Sequence, residues 1–379
     1  MNVPKLRFKE FKDEWSTIEL SKISSEISYG MGLPSKEYDG INKYIRITDI
    51  DENTSKYTNK DIVSPDGELE DKYIVKKNDI LFARTGASTG KTYLYDKKDG
   101  KLYYAGFLIK ANIINHDANF IFQQTHTSKY NKWIKVMSMR SGQPGINSQE
   151  YGSYKFSITS KTEEYKISKT LQLLDKKIEL QTKKIEDLKL FKKGLLYNEK
   201  RNNNSWYEYK ISDIMNITRG TVIPKTEISE CINNEFKYPV YSSQTSNNGI
   251  LGYDNKYDFN GKFLTWTTDG ANAGKVFYRE GKFRCTNVCG ILYNKDNRYV
   301  SELTAELLNI ETPKYVSYVG NPKLMNNVMS NIIIKLPDPS RDHFFSSILK
   351  IINKKLTIEE EKLDKLFELK KGLMLNMFV

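Results

Sequence analysis

Leu174-Asp175-Lys176-Lys177-Ile178 returns as Ile352-Asn353-Lys354-Lys355-Leu356, and Lys192-Lys193-Gly194-Leu195 returns as Lys370-Lys371-Gly372-Leu373, each 178 residues later. Around the first pair, Ile167, Leu171, Leu174, Ile178, Ile185, Leu188 and Leu195 keep to spacings of four and three, broken only at Gln181 and Lys192. In the second copy Phe345, Leu349, Ile352, Leu356, Leu363, Leu366 and Leu373 do the same, with breaks at Glu359 and Lys370. A seam of this period, held over about four to five heptads, is that of a coiled coil, and polar breaks at matching places are suited to fixing register. Roughly 36 residues at about 1.5 Å each make a rod of about 54 Å. An apolar stripe is more often ordinary bundle packing. Two matching stripes in one chain make each the natural partner of the other, which predicts an antiparallel intramolecular pair. The outer faces, with Lys183, Lys184, Glu186, Asp187 and Lys189 on one helix and Glu359, Glu360, Lys362, Asp364 and Lys365 on the other, are expected in solvent or against a partner.

The repeat continues upstream of each helix. Gly142-Gln143-Pro144 matches Gly320-Asn321-Pro322 at the same offset, Gly86-Ala87-Ser88-Thr89-Gly90-Lys91 matches Gly270-Ala271-Asn272-Ala273-Gly274-Lys275 at 184, and Trp15, Leu20 and Ile23 match Trp206, Ile211 and Ile214 at 191. The order is therefore unit, helix, unit, helix. Short β-branched or aromatic runs fill the units, among them Lys43 to Ile47, Asp79 to Ala83, Phe107 to Ile109 and Gly261 to Trp266, many bracketed by Gly, Asn, Asp or Pro. The expected class is α+β: two β-rich domains separated by two long antiparallel coiled-coil helices, with an internal pseudo-two-fold repeat. The segments are 1–158, a helix at 159–201, 202–338 and a helix at 339–379, with the linker at Asn202-Asn203-Asn204-Ser205.

The 379 residues allow two or three domains, and 59 Lys and Arg against 47 Asp and Glu leave a formal charge of +12. With 39% hydrophobic and 12% aromatic residues the chain is too rich in core formers for a disordered polymer. Positive surplus points to an acidic partner, nucleic acid first. Abundant Lys, Asn, Ile and Tyr are also what an AT-rich coding sequence yields, so charge alone decides nothing. No apolar stretch is long enough for a membrane span, and the N-terminus runs into charge, so a cytoplasmic protein is expected. Three cysteines and three histidines supply neither a disulfide framework nor an evident zinc site.

Two motifs suggest chemistry. Gly86 to Thr92 looks like a phosphate loop but is one residue short, and the second copy has Val276 where a hydroxyl would bind magnesium. A strand-turn-strand loop whose glycines take positive φ fits both copies. Pro65-Asp66 followed by Glu70-Asp71-Lys72 suggests a nuclease pattern, but its gap is very short and the second unit lacks it, as a surface turn would. No methyltransferase pocket or nucleophile context is present, so no catalytic or metal-binding residue is expected. What remains is a repeated set of polar loops, Arg84 to Ser88 and Thr267 to Asn272, with the further tract Ser242 to Asn248. They carry residues that pair with bases and phosphates.

The chain resembles the specificity (S) subunit of type I restriction-modification enzymes. The resemblance spans essentially the whole chain and rests on Pro4-Lys5-Leu6-Arg7-Phe8 with Trp15, on Asn78 to Ala87, on Ser141-Gly142-Gln143-Pro144-Gly145-Ile146-Asn147, and on Lys192-Lys193-Gly194-Leu195-Leu196. It implies that 1–158 and 202–338 are target-recognition domains, each reading half of a split, asymmetric sequence in double-stranded DNA. It further implies that the helices dock two methyltransferase (M) subunits and that motor-nuclease (R) subunits join for restriction. S-adenosylmethionine, ATP and magnesium then belong to those partners. One departure is that Trp266-Thr267-Thr268-Asp269 stands where the first unit has Phe82-Ala83-Arg84-Thr85, so an arginine role does not carry across. The residues expected at DNA are Tyr29, Arg46, Arg84, Thr85, Ser88, Lys91, Gln143 and Asn147 in the first unit. In the second they are Arg219, Lys225, Gln244, Thr268, Asp269, Asn272 and Lys275. The competing readings are a stand-alone nuclease or ATPase and a coiled-coil scaffold with no DNA role.

Overall fold

The computed structural model describes residues 3–139, 143–201, 206–244 and 246–379. The expected linker at 202–205, and Ser141, Gly142 and Thr245 of the expected loops, lie outside the described residues. The chain forms two compact units, Met1–Thr182 with Lys362–Val379, and Lys183–Glu361.

In unit 1 the strands are β1 (Ser16–Glu19), β2 (Ser24–Tyr29), β3 (Ser35–Glu37), β4 (Lys43–Ile45), β5 (Val63–Pro65), β6 (Asp79–Ala83), β7 (Thr92–Leu94), β8 (Leu102–Tyr104), β9 (Leu108–Ile113) and β10 (Lys155–Ile158). The helices are α1 (Ala118–Gln124), α2 (Ser128–Met137), α3 (Ser148–Ser153) and the first half of α4 (Lys161–Arg201). The main sheet is antiparallel in the order β2-β9-β6-β7, while β1 pairs with β10, β3 with β5 and β4 with β8. Every residue of β6 is buried because the sheet has a core on each side. Side chains alternate between the faces of a strand. Ile80 and Phe82 join Phe120, Tyr151 and Phe156, whereas Leu81 and Ala83 join Tyr93, Leu102 and Tyr104.

Unit 2 has β11 (Trp206–Lys210), β12 (Asn216–Arg219), β13 (Tyr238–Tyr241), β14 (Ile250–Asp254), β15 (Phe259–Thr267), β16 (Val276–Cys285), β17 (Cys289–Tyr293) and β18 (Ile333–Pro337). With them go α5 (Ile211–Ile214), α6 (Glu302–Glu311), α7 (Asn326–Asn331) and part of α8 (Pro339–Met377). The sheet order β12-β17-β15-β16 repeats β2-β9-β6-β7, and β11 with β18 repeats β1 with β10. The difference is at the edge: β13 and β14 extend this sheet, where unit 1 has small separate pairs.

Both long helices form as their seams predict. Ile167, Leu171, Leu174, Ile178 and Ile185 are buried on α4, as are Phe345, Leu349, Ile352 and Leu356 on α8. Within each unit the helices run antiparallel. In unit 1 Ile167 and Leu171 share a core with Met374, Met377 and Phe378, and Asp175 meets Lys370 at 2.7 Å. In unit 2 Lys184 meets Glu359 at 2.9 Å, and Lys192 donates to Glu306 and Asn353 at 2.9 and 3.1 Å. Lys192, Glu359 and Lys370, three of the seam's polar breaks, are thus members of ion pairs. The compact units run differently from the sequence segments, because each globular core takes in half of both helices.

The start of α8 carries a pH-sensitive group. Asp342 is buried, and that burial pushes its carboxyl up to about 6, although Ser301 Oγ donates to it at 2.9 Å. A carboxyl whose folded pKa lies above its unfolded value favours the folded state below the unfolded pKa, and that contribution is lost as pH rises from about 4 through about 6. Asp342→Asn is therefore expected to raise Tm at pH 8, by an amount equivalent to at most about 3 kcal/mol, and to change it little at pH 4. Equal shifts at both pH values in scanning calorimetry would refute this.

Candidate nucleic-acid interface

The loops matched in sequence are matched bond for bond in the main chain. After β6, the turn into β7 is closed by Ala83 N–H to Lys91 O at 2.8 Å and Gly90 N–H to Ala83 O at 3.0 Å. After β15, Thr267 N–H reaches Lys275 O at 3.0 Å and Gly274 N–H reaches Thr267 O at 2.8 Å. Gly86 donates to Pro144 O at 3.0 Å, and Gly270 to Pro322 O at 3.0 Å. Arg84 N–H bonds Phe107 O at 3.0 Å while Arg84 O accepts from Ile146 at 2.9 Å; Thr268 bonds Val288 O and accepts from Leu324 at the same two distances. Gly86 and Gly270 take φ of +69° and +97°, the left-handed region that glycine enters without a Cβ penalty. The frame also settles the phosphate-loop motif. A phosphate cradle needs free backbone N–H groups, but those of Gly86, Thr89, Gly90 and Lys91 are spent inside the protein. In the nuclease-like stretch Glu70 pairs with Lys72 and Asp66 with Lys36. Among the described residues no cluster of His, Cys, Asp or Glu could hold a metal ion.

A further equivalence escaped the sequence reading. Gly30 follows β2 and Gly220 follows β12, and they donate to Leu108 O and Cys289 O at 3.1 and 3.0 Å. A Cβ on Gly30 would lie 2.3 Å from Ala105 O, and one on Gly220 would lie 2.3 Å from both Cys285 O and Thr286 O. The offset of 190 between these glycines, beside the 191 of the tryptophans, was the available signal.

The frame gathers part of the expected set. In unit 1 the Arg84 guanidinium sits 4.8 Å over the Tyr29 ring, and Tyr29 Oη accepts from Ser148 N–H at 3.0 Å. Thr85 bridges to Gly145, the Gln143 amide lies over Gly86, and Ser88 O accepts from Lys91 N–H in the turn. In unit 2 Arg219 Nη2 contacts Thr268 Oγ1 at 3.3 Å and Asp269 Oδ2 at 3.4 Å, and Asn272 O accepts from Lys275 N–H. Phe107 in unit 1, and Tyr318 and Val319 beside Pro322 in unit 2, are exposed apolar residues near these loops that the sequence reading did not choose.

Other expected residues have structural duties. Arg46 is held by Asp49 through two bonds of 2.8 Å, which closes a 3-10 turn instead of leaving a guanidinium open. Asn147 caps α3 in a reciprocal box with Glu150, and the Gln244 amide bonds Ile250 O within its own loop. Thr268 is fully buried, and its hydroxyl contacts Arg219 and Asp269. Lys91 pairs with Glu52 at 3.7 Å. Lys275 lies near Glu306, Lys192 and Lys189, against the helices, and burial pulls its ammonium pKa down. Lys225 opens a 3-10 turn that no bond joins to the loop frame among the described residues. The bonds of Asn147 and Gln244 each engage one end of the amide, Oδ1 in Asn147 and Nε2 in Gln244.

Two modules with one main-chain frame and different side chains define a doubled module. The sequence matches the model of the type I restriction modification DNA specificity domain over residues 13–190 and again over 203–368, and the chain belongs to this family. A putative type I specificity subunit N-terminus from Mycoplasma pneumoniae is 47% identical over 125 residues, 33% of this chain and 65% of that protein. The specificity subunit of the type I restriction enzyme MpnII from the same organism is 42% identical over 130 residues, 34% of this chain and 38% of its own length. The chain thus covers less than two thirds of either relative. The crystal structure of a type I restriction-modification S subunit from M. genitalium shares the fold, with a TM-score of 0.74 over 100% of this chain and 99% of that one at 15% identity.

Proposed function

We propose that this chain is the DNA sequence-specificity subunit of a type I restriction-modification complex. Each unit reads one half of a bipartite, asymmetric site in double-stranded DNA, and the helices set the gap and dock methyltransferase subunits. Catalysis, with S-adenosylmethionine, ATP and magnesium, belongs to the methyltransferase and motor-nuclease partners, in the cytoplasm where the DNA lies. The observation that carries this reading is the loop frame, duplicated in its main-chain bonds and different in its side chains. The nuclease or ATPase alternative has no observation in its favour.

Docking of two like partners is supported by the helices. Unit 1 exposes Leu173, Leu180, Leu369 and Leu375; at the matching positions unit 2 exposes Ile351, Ile358, Phe191 and Tyr197. Exposed apolar residues repeated at one offset make two similar surfaces, as two copies of one partner require. No described helix is long and apolar enough to cross a membrane.

The test is to express the chain with its methyltransferase subunits and sequence the methylated adenines. One split motif is expected, and methylation with no sequence preference overturns the reading. Inserting four residues after Gln181 and four after Glu359 lengthens each helix by about 6 Å. The gap should grow by about two base pairs at about 3.4 Å each with both half-sites unchanged; an unchanged gap refutes the spacer role.

A further inference from the structure

We infer that each unit reads a guanine through one arginine held at the same point of the frame, Arg84 just after β6 in unit 1 and Arg219 at the end of β12 in unit 2, two strands that are not equivalent in the repeat. Residues 84 and 268 are equivalent, since each donates its N–H to the carbonyl at 107 or 288 and accepts from 146 or 324. Residues 29 and 219 are equivalent too, each preceding a glycine closed in by the same turn. Side by side, the repeat sets Arg84 against Thr268 and Tyr29 against Arg219, so no arginine is shared position by position. In space one is. Arg84 Nη1 reaches Gly106 O at 3.4 Å, and Arg219 Nε reaches Asn287 O at 2.5 Å. Gly106 and Asn287 precede Phe107 and Val288, so they are the same carbonyl of the frame.

A guanidinium fixed against a carbonyl has lost part of its rotamer freedom before DNA arrives, which lowers the cost of binding. Donors remain to be used. Among the described residues Arg84 Nε and Nη2 and Arg219 Nη1 make no hydrogen bond. The supporting side chains differ: Tyr29 supports the Arg84 plane from its face, whereas Thr268 and Asp269 hold Arg219 from its edge. In Arg84 the open Nε and Nη2 form a planar fork that matches the two acceptors, O6 and N7, on the major-groove edge of guanine, while Arg219, with Nε and Nη2 engaged, offers Nη1 to the same edge. This rests on the DNA-reading function proposed above.

The experiment uses the full chain with its methyltransferase subunits. Its readouts are sequencing of methylated adenines and binding to duplexes carrying each base at each half-site position. Wild type is expected to require guanine at one position of the half-site read by unit 1. R84T and R84K should lose that requirement, with discrimination falling by roughly 5- to 150-fold, while the other half-site stays as it was. Lysine separates the roles, because it keeps a phosphate contact but not the fork. Y29R/R84T/T85D, which gives unit 1 the arginine of unit 2 together with both side chains that hold it, should regain the requirement. R219K tests unit 2 by the same readout. R84T or R84K proteins that still demand guanine overturn the inference, as does a Y29R/R84T/T85D protein with wild-type Tm that does not regain it. Wild type giving no split motif overturns the DNA-reading function itself, a different outcome from unaltered specificity in R84T.

Discussion

Trp266→Ala is expected to cost unit 2 about 3–5 kcal/mol and to abolish reading of its half-site. Trp266 is fully buried at the end of β15, on the face that packs with Leu264, Val276 and Leu303. Its ring lies so close to Gly290 on β17 that a Cβ there would come within 2.1 Å. Its Nε1 donates to Leu324 O at 3.0 Å, and Leu324 in turn donates to Thr268 O at 2.9 Å. Alanine would leave a large cavity and an unmet carbonyl directly under the loop frame. For a unit of this size each kcal/mol is worth about 2–4 °C, so a calorimetric transition should fall by about 10 °C. Gly290→Ala attacks the same contact from the other side and should act in the same direction. A Trp266→Ala protein that melts like wild type would remove the basis of this argument.

Gly220→Ala is expected to do comparable damage to recognition with less damage to stability. The Cβ would meet the carbonyl oxygens of Cys285 and Thr286 at 2.3 Å, and both atoms are backbone. Something in the frame must move, at a cost of about 1–3 kcal/mol. The residue before it is Arg219, whose Nε bonds Asn287 O in that same turn. Displacement of the strand end by even a few tenths of an ångström misplaces the guanidinium. Gly30→Ala should do the same in unit 1, where the contact is with Ala105 O and the neighbour is Tyr29. The measurement is the methylated motif together with Tm: loss of split-site methylation with Tm lowered by only a few degrees is expected. Full methylation in both alanine variants would show that the glycines are not required.

The helices and the loop equivalence were legible because both leave a period or a string. The seam residues Ile167, Leu171, Phe345 and Leu349 are buried as their spacing requires, and Gly86 with Gly270 mark turns where glycine alone is unstrained. The run Asp79 to Ala83 is a strand to the residue. Phe107, read as part of a strand, is instead exposed just before β9, since an aromatic residue marks a strand only where there is a core to receive it. The short helices α1 and α2 carry too few turns for a period to stand out. Polar residues were the weakest ground. Arg46 and Asn147 read as candidate DNA contacts, and sequence spacing alone does not reveal their partners Asp49 and Glu150. Arg84 and Arg219 look unrelated because no alignment brings residues from different strands to one carbonyl.

The frame of each unit is bonded main chain to main chain, through carbonyls and N–H groups that every residue type except proline supplies in full. Exchange of side chains at 84, 85, 88, 269 or 272 therefore leaves most of its bonds in place. On the function proposed above, fold and reading preference would be under separate control, and the sequence read could drift by single substitutions at little risk of unfolding. A lineage carrying such a chain would have many routes to a new target and few that pass through a misfolded intermediate.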